Sequence, residues 1–147
     1  LENKALMTLT QEQAEILLNQ ARLAAENAYA PYSDFPVGAA LLSESGEVIC
    51  GVNVENISFG LTLCAERTAL VNAISDGQRN FKAIAVWASR RPNGSVAPCG
   101  ACRQVMAEFL KPETPVVMSH CETGQVRILT MQALLPEAFG PTPGSKI

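Results

Sequence analysis

Ala83-Ile84-Ala85-Val86-Trp87-Ala88 is an unbroken apolar run, and a run of that kind reads as a strand buried inside a sheet. What flanks it decides the fold. Upstream, a helix is predicted from about Cys64 to Ser75, stopped by Asp76-Gly77. Downstream comes a polar loop, Arg90 to Ala97, containing Pro92-Asn93-Gly94. A second helix then runs from about Gly100 to Leu110, and Pro112 closes it. Earlier in the chain, Val37 to Leu42 and Val48 to Val54 are strand-like. They are joined by Ser43-Glu44-Ser45-Gly46-Glu47, a hairpin turn. Beyond the last helix, Val116 to Ser119 and Gln125 to Leu129 supply two more strands. Met131 to Leu135 is a short helical turn before a Pro- and Gly-rich tail.

The chain opens on another helix. Thr10 is its N-cap, and Gln13 three residues on completes a capping box. Ala14, Leu17, Leu18, Ala21 and Ala25 then recur as a helical stripe, with Pro31 expected to end it. Pro31-Tyr32-Ser33-Asp34-Phe35-Pro36 is a loop rich in turn residues and aromatics. The order of elements predicts an α/β fold, a three-layer α/β/α arrangement around a mixed sheet of about five strands. With no repeat, linker or low-complexity segment, the 147 residues are expected to form one domain. Leu1 to Leu6, which precede Met7, are read as an expression remnant outside the functional argument.

Composition narrows the possible partners. Fourteen acidic residues against eleven basic ones give a net charge of −3. A nucleic-acid polymer is therefore not expected, because phosphate contacts demand a basic footprint. No apolar run approaches the ~20 residues that span a bilayer, and the first residues lack a charged-then-apolar signal pattern. A cytoplasmic protein without membrane contact is expected. Its five cysteines are an odd number with three in short motifs, which favours metal or thiol chemistry over a disulfide framework.

Those motifs are Cys64-Ala65-Glu66 and Pro98-Cys99-Gly100-Ala101-Cys102, each at a predicted helix start. Cys99 and Cys102 are three apart, which puts both thiols on one helical face. The segment between the motifs has the length of a crossover that returns the chain beside Cys64. Helix starts favour the thiolate form that binds metal. Thiolates select borderline ions, and zinc adds no redox chemistry, so one Zn²⁺ per chain is expected. Three protein ligands leave the fourth position to a water, whose pKa zinc lowers to roughly 7. Glu66, which does not ligate, is the candidate proton shuttle, and Arg67 the candidate offset to excess negative charge.

Each piece has a plainer reading. A C-x-x-C pair also makes a redox dithiol or half of a structural zinc knuckle. Cys50 or Cys121 could close the site as a fourth ligand, and Glu66 alone suits any helix N-terminus. His120, the single histidine, reads as a loop residue, and Cys50, Cys121 and Trp87 as core or surface residues. Together, however, C-x-E followed by P-C-x-x-C is the zinc-deaminase signature in its three-cysteine form.

From about Gln11 to Pro141 the sequence resembles the small cytidine deaminases. The blocks that carry the resemblance begin with Ala28-Tyr29-Ala30-Pro31-Tyr32-Ser33-Asp34-Phe35-Pro36-Val37-Gly38-Ala39-Ala40 and Gly51-Val52-Asn53-Val54-Glu55-Asn56. Cys64-Ala65-Glu66-Arg67-Thr68-Ala69, Pro98-Cys99-Gly100-Ala101-Cys102-Arg103-Gln104 and Leu134-Leu135-Pro136-Glu137-Ala138-Phe139-Gly140-Pro141 complete them. The resemblance implies a cytidine deaminase-like fold and hydrolytic deamination of cytidine and deoxycytidine in pyrimidine salvage. It implies that Phe35 packs on the pyrimidine ring and that Asn53 and Glu55 bind sugar hydroxyls. The Ala65 backbone amide would meet the base, and Arg67 would neutralise thiolate. It also implies a homotetramer with sites at subunit contacts, Phe139 reaching a neighbour's site. The plainer readings are a core aromatic for Phe35, a strand-end turn residue for Asn53 and a helix-end anchor for Phe139. Phe59 departs from the Tyr that many relatives carry there, which removes a hydroxyl.

Three rivals share parts of this pattern. A deaminase for the aminopyrimidine antibiotic blasticidin S would share the metal motifs without the full set Phe35, Asn53 and Glu55. A polynucleotide deaminase needs basic and aromatic insertions that are absent here. A zinc-stabilised binding module would close its metal with a fourth thiolate.

Overall fold

A computed structural model describes residues 9–89, 94–119 and 123–140. Its helices are α1 (Gln11–Ala25), α2 (Ala65–Ser75), α3 (Gly100–Phe109) and α4 (Met131–Leu134). Its strands are β1 (Val37–Ser43), β2 (Val48–Val52), β3 (Phe81–Ala88), β4 (Pro115–Ser119) and β5 (Val126–Thr130). The remnant assigned to Leu1–Leu6, His120, Cys121 and the Pro92-Asn93 part of the predicted loop lie outside the described residues.

The strands form one mixed sheet in the order β2-β1-β3-β4-β5. β1 is antiparallel to both neighbours, β3 and β4 are parallel, and β5 closes the edge antiparallel to β4. Both faces are covered, as a sheet with apolar residues on both sides requires. Ala39 and Leu41 of β1 and Val116 and Met118 of β4 pack with α2, α3 and α4. Ala40, Ala83, Ala85 and Val117 turn the other way, onto Ala14, Leu17, Leu18 and Ala21 of α1. The period of two along each strand thus feeds two separate cores.

The capping box forms as the sequence requires: Thr10 Oγ1 accepts from Gln13 N–H at 3.1 Å, and Gln13 Oε1 accepts from Thr10 N–H at 2.9 Å. Pro31 does not end α1, contrary to the expectation. The helix stops at Ala25, where Glu26 and Asn27 N–H turn back to the Leu23 and Ala24 carbonyls. Tyr29 is then claimed by another segment, its N–H donating to Asn53 O and its carbonyl accepting from Glu55 N–H. Long-range pairing, not proline, sets the boundary. The predicted second strand also stops early, at Val52, because Val54 leaves β1 to pair with Tyr29 and Leu63.

Two glycines let helices rest directly on strands. A Cβ on Gly38 would lie 1.9 Å from the Ala21 carbonyl oxygen of α1. On the opposite face, a Cβ on Gly51 would lie 2.2 Å from Ala69 N and 2.6 Å from Ala65 O of α2. Gly51 therefore sets how closely the first turn of α2 approaches the sheet. No helix among the described residues is long and apolar enough to cross a membrane.

Candidate metal centre and active site

The carboxyl ends of β2 and β3 lie at one edge of the sheet, with the start of β1 between them. The chain leaves β2 towards α2 and β3 towards α3, so both helices begin there. Open α/β sheets gather ligands at such an edge. Cys64 is the N-cap of α2 and Cys99 the N-cap of α3. The three sulfurs of Cys64, Cys99 and Cys102 lie within 4.8 Å of one another. Cys64 and Cys99 Sγ are 3.9 Å apart, and Cys99 and Cys102 Sγ 3.4 Å. Cys102 is buried, Cys64 half-buried and Cys99 exposed, so the group opens to solvent on one side. Cys50 is not part of it; it packs towards the α1 side of the sheet, whereas Cys64 packs on the other.

This donor set fits zinc. Three thiols so close ionise together only around a cation. Without one, Cys64 is drawn down to about 5, chiefly by the hydrogen bond from Cys102 and, against its burial, by Arg67. Cys102 is pushed up by the same contact and by burial. Arg67 Nη2 lies 3.4 Å from Cys64 Sγ and donates to Thr62 O at 3.2 Å. Its Nε is buried and unpartnered among the described residues. The guanidinium acts on Cys64 through the Nη2 hydrogen bond first, its charge adding to the effect.

Glu66 is only 4% exposed, and its Oε2 lies 3.6 Å from Cys102 Sγ. Burial pushes its carboxyl up, with the Cys64 charge adding to the effect. A carboxyl raised in this way is a stronger proton acceptor than a solvated one. Ala65, fully buried, is the first residue of α2, and its N–H belongs to the helix-start amides without a partner inside the helix.

The other predicted residues form a second group at the same edge. Asn53 is buried, its Oδ1 accepting from Val37 N–H and its Nδ2 donating to Phe35 O, both at 2.9 Å. One hydrogen and one lone pair of the amide remain for a further partner. Glu55 Oε1 accepts from the N–H groups of Tyr32 and Ser33, each at 3.0 Å, and Oε2 accepts from Ser33 Oγ. The Ser33 hydroxyl, more than any other contact, holds the Glu55 carboxyl below the usual range. Phe35 is half-buried against Val86, Ala88 and Val96, so it is partly the core aromatic of the plainer reading. The groups are tied through Val54, which exchanges two hydrogen bonds with Leu63, the residue before Cys64. Phe139 is not brought in: it is 88% exposed, with its carbonyl fastened by Gln104 Nε2 at 2.7 Å.

Sequence reasoning gave Arg103 and Ser33 no role. Arg103 Nε donates to Pro98 O at 2.8 Å and Nη1 to Leu134 O at 2.7 Å, tying the cysteine loop to the C-terminal segment. A cation on the face of α3 adjoining the motif was the available signal. Ser33 had none, because its partner lies 22 residues away.

The family model for the cytidine and deoxycytidylate deaminase zinc-binding region matches residues 11–118. A cytidine deaminase of Sporosarcina psychrophila is 50% identical over 125 residues, covering 85% of this chain and 90% of the relative. One of Halalkalibacterium halodurans is 52% identical over 126 residues, covering 85% and 92%. Among solved structures, cytidine deaminase from Burkholderia pseudomallei matches with a TM-score of 0.80 at 50% identity, covering 89% of this chain and all of that one.

Proposed function

The chain belongs to the cytidine and deoxycytidylate deaminase zinc-binding family, and on that premise we propose that it hydrolyses cytidine and deoxycytidine to uridine and deoxyuridine with release of ammonia. The observation that carries this reading is Glu66, a buried carboxylate beside three converging thiols without being one of the gathered ligands. Cys64, Cys99 and Cys102 would hold one zinc, which supplies an activated water at neutral pH.

The chain's own groups do the rest. Glu66 accepts a proton from the attacking water and delivers it to N3 of the ring as oxygen joins C4. It then takes the second proton from the new C4 hydroxyl and gives it to the departing amine as the C4 carbonyl forms. Water contributes the new oxygen, and ammonia leaves with the exocyclic nitrogen, so atoms and charge balance. Phe35 packs on the pyrimidine, the Ala65 amide meets the base, and Asn53 and Glu55 take sugar hydroxyls with the hydrogen-bonding capacity their clamps leave free. Arg67 offsets the third thiolate's charge. Phe139 serves a neighbour's site in a homotetramer, in a single-domain cytoplasmic enzyme of pyrimidine salvage. Its exposure, and that of Ile57, Phe59 and Leu61, supports assembly.

The test is an ultraviolet assay of the purified zinc-loaded protein with cytidine, deoxycytidine and blasticidin S side by side. Turnover of the nucleosides with little on the antibiotic is expected. Failure on both nucleosides would overturn the reading.

A further inference from the structure

The backbone of Phe35 is gripped on both sides. Its N–H donates to Ser33 Oγ at 3.1 Å, and its carbonyl accepts from Asn53 Nδ2 at 2.9 Å. Ser33 passes its single hydroxyl hydrogen to Glu55 Oε2. An ionised carboxylate only accepts, so the direction is fixed: Ser33 gives its hydrogen to Glu55 and a lone pair to Phe35. Between Ser33 and Phe35 the chain passes through Asp34 at φ +50°, a left-handed conformation that non-glycine residues hold with outside support.

We propose that Ser33 is a positioning residue that holds the ring of Phe35 and the carboxylate of Glu55 in one fixed relation. This rests on the reading that Phe35 meets the base and Glu55 the sugar. Ser33 itself touches neither part of the substrate. A carboxylate offers about four acceptor sites, and three on Glu55 are filled from Tyr32 and Ser33. The site left open lies on Oε2, so Glu55 takes one hydroxyl, and that hydroxyl must donate. Loss of the Ser33 hydroxyl frees a second site on Oε2 and leaves Phe35 N–H without its partner. Sugar and base recognition then lose their common reference.

Ser33 is exposed, so its substitutions disturb little packing. Ser33→Ala and Ser33→Val remove the hydroxyl, and Ser33→Thr keeps it at the size of valine. The first two are expected to raise KM for cytidine about ten- to a hundredfold, the effect of losing a hydrogen bond to a charged group. Their kcat should stay within about threefold of the parent and their zinc content unchanged, while Ser33→Thr behaves like the parent. In a Glu55→Ala background, Ser33→Ala should add less than about a twofold further loss, as coupled partners do. A carboxyl NMR titration reads the same link without turnover: Ser33→Ala and Ser33→Val move the Glu55 pKa up, and Ser33→Thr does not. Unchanged KM and unchanged titration in both variants would overturn the proposal. So would equal impairment of Thr and Val, or failure of Ala and Val to fold. A parent protein inert towards cytidine, with the titration behaving as described, would sink the functional reading and leave the Ser33 link standing.

Discussion

Glu66 is a charged residue in a place where charge is costly, and its neighbours explain why it stays. Its carboxyl is buried beside Cys102 and raised by that burial, which suits a group that takes and returns a proton within each turnover. Glu66→Gln keeps the shape and removes that capacity. We expect it to bind zinc as the parent does and to lose turnover by a factor of about 10² to 10⁴. Metal analysis beside steady-state kinetics checks this, and substantial retained activity would remove the role. Cys64, Cys99, Cys102 and Glu66 were legible in the sequence because their meaning lies in short spacings at helix starts. The work of Asn53 and Glu55 inside the protein was not. An amide and a carboxylate that brace a loop 16 to 23 residues away leave no local trace.

At the scale of elements, Gly51 places α2. A methyl group there would meet backbone atoms of Ala65 and Ala69, which have no rotamer to yield with. Gly51→Ala should therefore push the first turn of α2 from the sheet, carrying Cys64 and Glu66 with it. The expected cost is about 1–3 kcal/mol of stability, with reduced zinc content and activity. Gly46→Ala is the contrast: its residue sits in the hairpin turn at φ +90° with nothing within 4 Å. It should cost about 1–2 kcal/mol through backbone strain alone, with metal content and kcat unmoved. Denaturant unfolding and zinc assays on the two variants separate these effects. The strands and helix starts were readable from periodicity and caps. The end of α1 was misread at Pro31, because what ends it is the pairing of Tyr29 with residues 53–55, a tertiary event.

For the whole molecule, the mixed sheet and its covering helices followed from the order of elements, but the strand sequence β2-β1-β3-β4-β5 did not. Periodicity says which residues face a core and nothing about which strand is whose neighbour. Nor does it say what covers Ile57, Phe59, Leu61 and Phe139, which stand 68–88% exposed. Four-subunit assembly predicts a solution mass near four times 15.7 kDa by light scattering. It also predicts that Phe139→Ala raises KM without unfolding the chain. A monomeric mass with full activity would overturn both expectations.

Two helices from different parts of the chain begin on cysteines whose sulfurs meet. Any ion shared there acts as a staple closing the long loop between residues 64 and 99, and an unfolded chain does not hold that geometry. Folding and metal activity are then thermodynamically linked. At a free metal concentration about a hundredfold above the dissociation constant, the linkage contributes about 2.7 kcal/mol. A chelator should lower the melting temperature in proportion to the logarithm of free zinc, and added zinc should restore it. The protein's thermal resilience would thus report the zinc supply of its surroundings.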